Sequence, residues 1–133
     1  MDKYLFMAVF TPAPEGGYEV RFPDLPGCFS QGDSLEEAMV LAKDALELHL
    51  WGMEDDNNPI PPATLPENIE FEKGCFTVPI SVYMPPIREE MDNKTIKKTL
   101  TIPAWLNRVS EEAGVNFSQT LQKALKQQLG IQD

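Results

Sequence analysis

A strand pattern with nothing near it to pair with is the feature that most constrains this chain. In Lys94–Ile102, Ile96, Leu100 and Ile102 point one way while Thr95, Lys97, Thr99 and Thr101 point the other, the alternation of a half-buried β-strand. Pro103 ends that strand and suits the first turn of a helix carrying Trp105, Leu106, Val109 and Ala113 at helical spacing, which Gly114 stops. Asn116 or Ser118 can cap a second helix, on which Leu121, Ala124, Leu125 and Leu129 recur at helical intervals. One strand followed by two short helices can neither pair its backbone amides nor bury its apolar side, so the unit needs a second copy of itself. Two such strands, paired antiparallel, form a ribbon whose outer face presents Lys97, Thr99 and Thr101 from both chains, a shape that enters a DNA major groove.

This segment resembles the ribbon-helix-helix repressors, in which strand positions two, four and six before the helix-starting proline read base edges. Counting back from Pro103, the resemblance assigns that role to Thr101, Thr99 and Lys97. It assigns a phosphate clamp of backbone amides at the start of the second helix to Asn116, Phe117 and Ser118. Lysine suits guanine acceptors, and threonine offers a hydroxyl plus a methyl that touches thymine. None of the three readout positions is arginine, a departure from the stronger members of that family. The alternative is a C-terminal dimerisation hairpin that touches no nucleic acid.

Charge divides the chain at the same place. The net charge of −10 over 133 residues argues, taken whole, against a nucleic-acid binder. Residues 1–92 hold five bases against eighteen acids, a balance of −13, whereas residues 93–133 hold six bases against three acids, a balance of +3. The acidic body repels phosphate and attracts a basic protein, so the small basic end must do any docking to a duplex. Two cysteines and one histidine, Cys28, Cys75 and His49, cannot complete a four-ligand zinc site within one chain. The cysteines read as reduced packing residues of a cytoplasmic protein, and the Tyr4–Phe10 run is far too short to span a membrane.

Within the body, Tyr4–Phe10 is apolar on both faces and reads as a central strand, and Tyr18–Phe22 as a strand wet on one side. Phe22-Pro-Asp-Leu-Pro-Gly27 sets Leu25 as an inward anchor with a type II turn at Pro26-Gly27, and Cys28–Gln31 reads as a short third strand. Ser34 and Glu37 form a capping box for a helix from Leu35 to about Trp51, with Leu35, Ala38, Met39, Ala42, Leu46 and Leu50 on its packed side. Residues 52–66 read as a loop. Ile69–Glu72 and Phe76–Tyr83 read as two further strands, with Pro79 marking an edge or a bulge, and Met84–Asn93 as a Pro-rich hinge.

The stretch YEVRFPDLPGCFSQGDSLEEAMVLAKDAL is similar to the N-terminal domain of HicB-type antitoxins, where an aromatic strand, a Pro-Asp-Leu-Pro-Gly turn, a Gly-Asp-Ser helix start and an acidic-alanine helix occur in that order. The resemblance implies an α+β fold: a partial ribonuclease-H-like sheet with one main helix over residues 1–84, a linker over 85–93, and a ribbon-helix-helix module over 94–133 completed by dimerisation. It also implies a small basic ribonuclease partner, the HicA toxin, and operator DNA as the second partner. No enzyme activity, metal or cofactor is expected: ribonuclease-H chemistry needs several carboxylates around two metal ions, starting on the first strand, and Tyr4–Phe10 has none. Asp24 reads as a turn former, and His49 as a helix-end or partner-facing residue without a visible catalytic partner. A stand-alone regulator with an acidic sensing domain, or a nuclease, are the alternatives. Toxin-contacting residues are not assigned by the sequence.

Overall fold

The computed structural model describes residues 1–131, and the chain divides into two compact units, residues 1–94 and residues from Thr95 onward. The last two residues of the expected C-terminal module lie outside the described residues.

The first unit is a four-stranded antiparallel sheet with one long helix on a face. Its strands β1 (Lys3–Pro12), β2 (Tyr18–Arg21), β3 (Phe29–Gly32) and β4 (Phe76–Tyr83) lie in the order β3-β2-β1-β4. The central place of β1 follows from its sequence: Phe6, Met7, Ala8, Val9 and Phe10 are all buried, which only a strand paired on both edges and shielded on both faces tolerates. Pro79 falls on β4, at a sheet edge, opposite Met7.

Helix α1 (Leu35–Asp55) starts where the capping box places it. The Ser34 hydroxyl accepts from the Glu37 amide at 3.1 Å, and the Glu37 carboxylate accepts from the Asp33 amide at 3.4 Å. Its buried stripe is Ala38, Ala42, Leu46 and Leu50, packed on Phe6, Ala8, Phe10, Val20, Phe22, Ile80 and Val82 of the sheet. Small residues at the start of that stripe let helix and sheet approach closely: a Cβ added at Gly32 of β3 would lie 2.6 Å from Ala38 Cα. Phe10, Tyr18 and Phe76 close one end of the core, with Tyr18 edge-on to Phe76 at 5.7 Å between ring centroids.

Several expectations are corrected. Leu35 and Met39 are about 40% exposed, because the packed stripe keeps a strict four-residue step that leaves them to its side. The helix runs four residues past Trp51. Ile69–Glu72 forms no strand; a 3-10 turn at Pro66–Asn68 precedes it, and the segment pairs with neither edge of the sheet. The stretch expected as a hinge is helix α2 (Met84–Asp92). Pro85 and Pro86 sit in its first turn, where the missing N–H groups cost nothing, and Met84 is fully buried against the core. Arg88 fastens it: its guanidinium donates to both Glu54 carboxylate oxygens at 3.0 and 2.7 Å, to Asp2 at 2.7 Å and to the Met1 carbonyl at 2.7 Å.

The second unit contains helices α3 (Ala104–Glu112) and α4 (Phe117–Leu129). Gly114, left-handed at φ +72°, closes α3 with a paired set of bonds, Val115 N–H to Ser110 C=O at 3.0 Å and Gly114 N–H to Glu111 C=O at 3.0 Å. Asn116 caps α4, its side-chain oxygen accepting from the Gln119 amide at 3.1 Å. Residues 94–103 carry no strand within one chain. A strand is defined by its neighbour, and the two helices of this unit offer no edge to pair with.

Candidate functional site

In the second unit every residue from Thr95 to Trp105 is exposed. Lys97, Thr99 and Thr101 are therefore exposed in a segment without secondary structure, as are the apolar residues alternating with them: Ile96 is 86% exposed, and Leu100 and Ile102 about half exposed. The helices add further exposed apolar residues, Trp105, Val109, Phe117, Leu121, Leu125 and Leu129, and among their described residues none is buried. Folded proteins rarely leave so many large apolar side chains of one small unit in water. Asn116, Phe117 and Ser118 occupy the N-cap and first two positions of α4, where backbone N–H groups lack helical acceptors and the helix dipole favours an anion.

In the first unit the Pro-Asp-Leu-Pro-Gly turn is rigid for identifiable reasons. Leu25 is buried, and Gly27 at φ +90° completes the type II turn with Cys28 N–H to Leu25 C=O at 3.0 Å. Asp24 reaches across to the loop after α1, accepting from the Thr64 amide at 2.8 Å and the Thr64 hydroxyl at 2.6 Å. Its carboxylate is thus a loop anchor. His49 lies over Gly27, half-buried, in a groove shared with Asp24, Pro26, Leu48, Met53 and Asp56. Among the described residues no group of three or more His, Cys, Asp or Glu side chains converges to hold a metal ion.

The electrostatics of this unit follow burial and crowding. Burial pushes the Cys28 thiol up to about 11, so it stays protonated and packs as a small apolar group, its Sγ 3.8 Å from the Ala45 carbonyl. The Glu47 carboxyl is raised, first by burial; Lys43 opposes this, while Asp44 and Glu90 add to it. Glu36, Glu37 and Asp44 line the outer side of α1 together with Val40, Leu41 and Leu48, so that face mixes acidic with exposed apolar side chains. No helix among the described residues is long and apolar enough to cross a membrane.

Sequence reading missed three features: the Asp24–Thr64 tie, the Arg88 clamp and the open edge of β3. The first two are contacts between residues 34 to 87 positions apart, for which one sequence carries no signal. The third was readable in principle, since Phe29-Ser30-Gln31-Gly32 has no proline or charge to protect an edge.

Comparisons with known proteins bear on the family and the fold. Residues 6–124 match the family described as HicB_like antitoxin of bacterial toxin-antitoxin system. An uncharacterized 14.9 kDa protein of the rep-hol intergenic region of Haemophilus phage HP1 is 53% identical over 97 residues, covering 68% of this chain and 67% of that protein. Antitoxin HicB of Escherichia coli K12 is 42% identical over 77 residues, covering 58% of this chain and 54% of that protein, so the chain spans about half the length of that relative. Among solved structures, a toxin-antitoxin complex from Streptococcus pneumoniae superposes with a TM-score of 0.63 at 24% identity, covering 95% of this chain and 99% of the other. The Burkholderia pseudomallei antitoxin HicB superposes with a TM-score of 0.54 at 19% identity, covering 92% and 96%. These last two likenesses speak to the fold. The family match extends through both units, and on it the chain belongs to the HicB-like antitoxins of bacterial toxin-antitoxin systems.

Proposed function

We propose that this chain is an antitoxin of two parts. Its N-terminal unit, a partial ribonuclease-H-like body, binds a HicA-like mRNA-cleaving toxin and occludes its active site. Its C-terminal unit dimerises as a ribbon-helix-helix module and represses its own operon. The observation that carries this reading is the family match over residues 6–124, which takes in the sheet, α1, the alternating segment and most of α4. The work is done by occlusion, without a catalysed reaction, metal or cofactor, and in the cytoplasm.

The body's balance of −13 supports a basic partner, because complementary charge accelerates encounter and disfavours nucleic acid at that surface. For the DNA half, the support is that exposed Ile96, Leu100 and Ile102 alternate in sequence with exposed Lys97, Thr99 and Thr101 along one unpaired segment. Two copies zipped antiparallel bury the first set between ribbon and helices and turn the second outward. Each Lys97 then meets a guanine edge, Thr99 and Thr101 meet thymine methyls or polar base edges, and the α4 amides near Asn116, Phe117 and Ser118 hold a phosphate that fixes register.

Lys97→Ala combined with Thr99→Ala tests the division of labour. Gel shift with the operon's own promoter should lose at least about tenfold in affinity, from lost contacts worth roughly 1–3 kcal/mol each, while pull-down of the toxin is unchanged. Unaltered promoter affinity would defeat the assignment of the strand.

A further inference from the structure

The two edges of the sheet are not equivalent. Opposite residues in an antiparallel pair alternate between those that exchange both hydrogen bonds and those that exchange none. On the β4 side, Met84 N–H donates to Asp2 C=O at 2.8 Å, so with Lys3 opposite Tyr83 the bonded positions of β4 are its even-numbered residues. The outward positions are therefore Thr77, Pro79, Ser81 and Tyr83, and Pro79 removes a donor from the middle of that row.

The same count applies to the other side. Phe22 N–H donates to Cys28 C=O at 3.2 Å, and Arg21 lies opposite Phe29, so Ser30 and Gly32 face β2 while the N–H and C=O of Phe29 and Gln31 point away from the sheet. No proline, bulge or charged side chain lies within β3. Phe29 is 69% exposed, and with Arg21, Glu19 and Gln31 it borders a shallow concavity on the sheet face that α1 leaves open. Asp33, Glu36 and Glu37 follow directly at one end of the edge.

We propose that this edge is where the toxin attaches: an extended segment of it adds to the sheet beside β3, bonding to the outward groups of Phe29 and Gln31 and covering the Phe29 ring. The proposal rests on the antitoxin reading and names the surface that reading leaves open. Charge selects the occupant. A second copy of the body brings another balance of −13 against Asp33, Glu36 and Glu37, whereas a basic strand finds those carboxylates at its end. Backbone bonds to the two outward residues supply affinity and the concavity beside Phe29 supplies side-chain selection, the division usual for strand addition.

Three variants of the full chain test this by calorimetry against the purified toxin encoded in the adjacent reading frame. Gln31→Pro removes one outward N–H without touching the bonds between β2 and β3, Phe29→Lys adds a like charge against a basic strand, and Gln31→Ala changes only a side chain. The first two should weaken toxin binding at least about tenfold and the third by less than about threefold, with free-protein melting unchanged for Phe29→Lys and Gln31→Ala. The amides of Phe29 and Gln31 should also exchange more slowly once toxin is bound. Phe29→Lys keeps the test decisive should Gln31→Pro fold poorly. Wild-type affinity in both edge variants, or a loss of self-association with unchanged toxin affinity, would overturn the proposal and leave the antitoxin reading standing. Failure of the wild-type chain to bind the toxin would remove the reading and the proposal together.

Discussion

Replacing Gly32 by alanine tests how the helix is seated on the sheet. The new Cβ would meet backbone: Ala38 Cα at 2.6 Å and the Glu37 carbonyl carbon at 2.9 Å, with the Ala38 nitrogen closer still. Relaxed contact between such atoms is near 3.5–4.0 Å, so the first turn of α1 must retreat by about 1 Å or β3 must leave β2. Neither is a side-chain adjustment. Overpacking that flexible side chains absorb costs about 1–3 kcal/mol, and because backbone must move here the expected cost is about 3 kcal/mol. For a unit of this size that lowers the melting temperature by roughly 12–24 °C. Gly52, inside the same helix with nothing within 4 Å of an added Cβ, gives the opposite sign: alanine there should stabilise by about 0.5–1 kcal/mol through helix propensity. Trp51 fluorescence in a Trp105→Phe background follows this unit's thermal transition. Equal effects of the two substitutions, or a Gly32→Ala cost below about 0.5 kcal/mol, would refute the close approach of β3 and α1.

Two further outcomes follow from the first unit. Arg88→Met should lower its stability by about 1–2 kcal/mol, since Arg88 and Glu54 are only partly exposed and their paired bonds are charge-assisted, and Arg88→Lys should rescue little because lysine cannot present the planar fork; thermal denaturation measures both. With its thiol pushed up to about 11, Cys28 should react with an aromatic disulfide at pH 8 only on unfolding, while the less buried Cys75 reacts in the native state; because the folded value lies above the ordinary one, the stability Cys28 contributes is complete below pH 9 and declines as pH rises toward 11, which a denaturation series in pH would show.

What was legible from the chain was what local chemistry dictates. Tyr4–Phe10 could only be a central strand, Ser34 with Glu37 could only start a helix, and Pro26-Gly27 and Gly114 required the turn and the helix stop that they make. The errors share a cause: periodicity says which face is apolar and not what is available to cover it. Ile69–Glu72 alternates but pairs with no strand of the sheet, and Leu35 and Met39 have the right spacing but lie beside the stripe that the sheet contacts. Met84–Asp92 looked like a linker for its prolines and charge, yet Met84 and the Arg88 clamp hold it as a helix against the body. At the candidate sites, the alternation that singles out Lys97, Thr99 and Thr101 was visible at once because it is local. The open edge at Phe29 and Gln31 emerged only from register, which depends on where β2 and β4 pair.

The central claim is that the body silences a ribonuclease by covering it. Titrating the full chain into RNA cleavage by the proposed HicA-like toxin measures that directly. The account predicts cleavage falling steadily to near zero at about one chain per toxin; undiminished cleavage at a tenfold excess of this protein would contradict it.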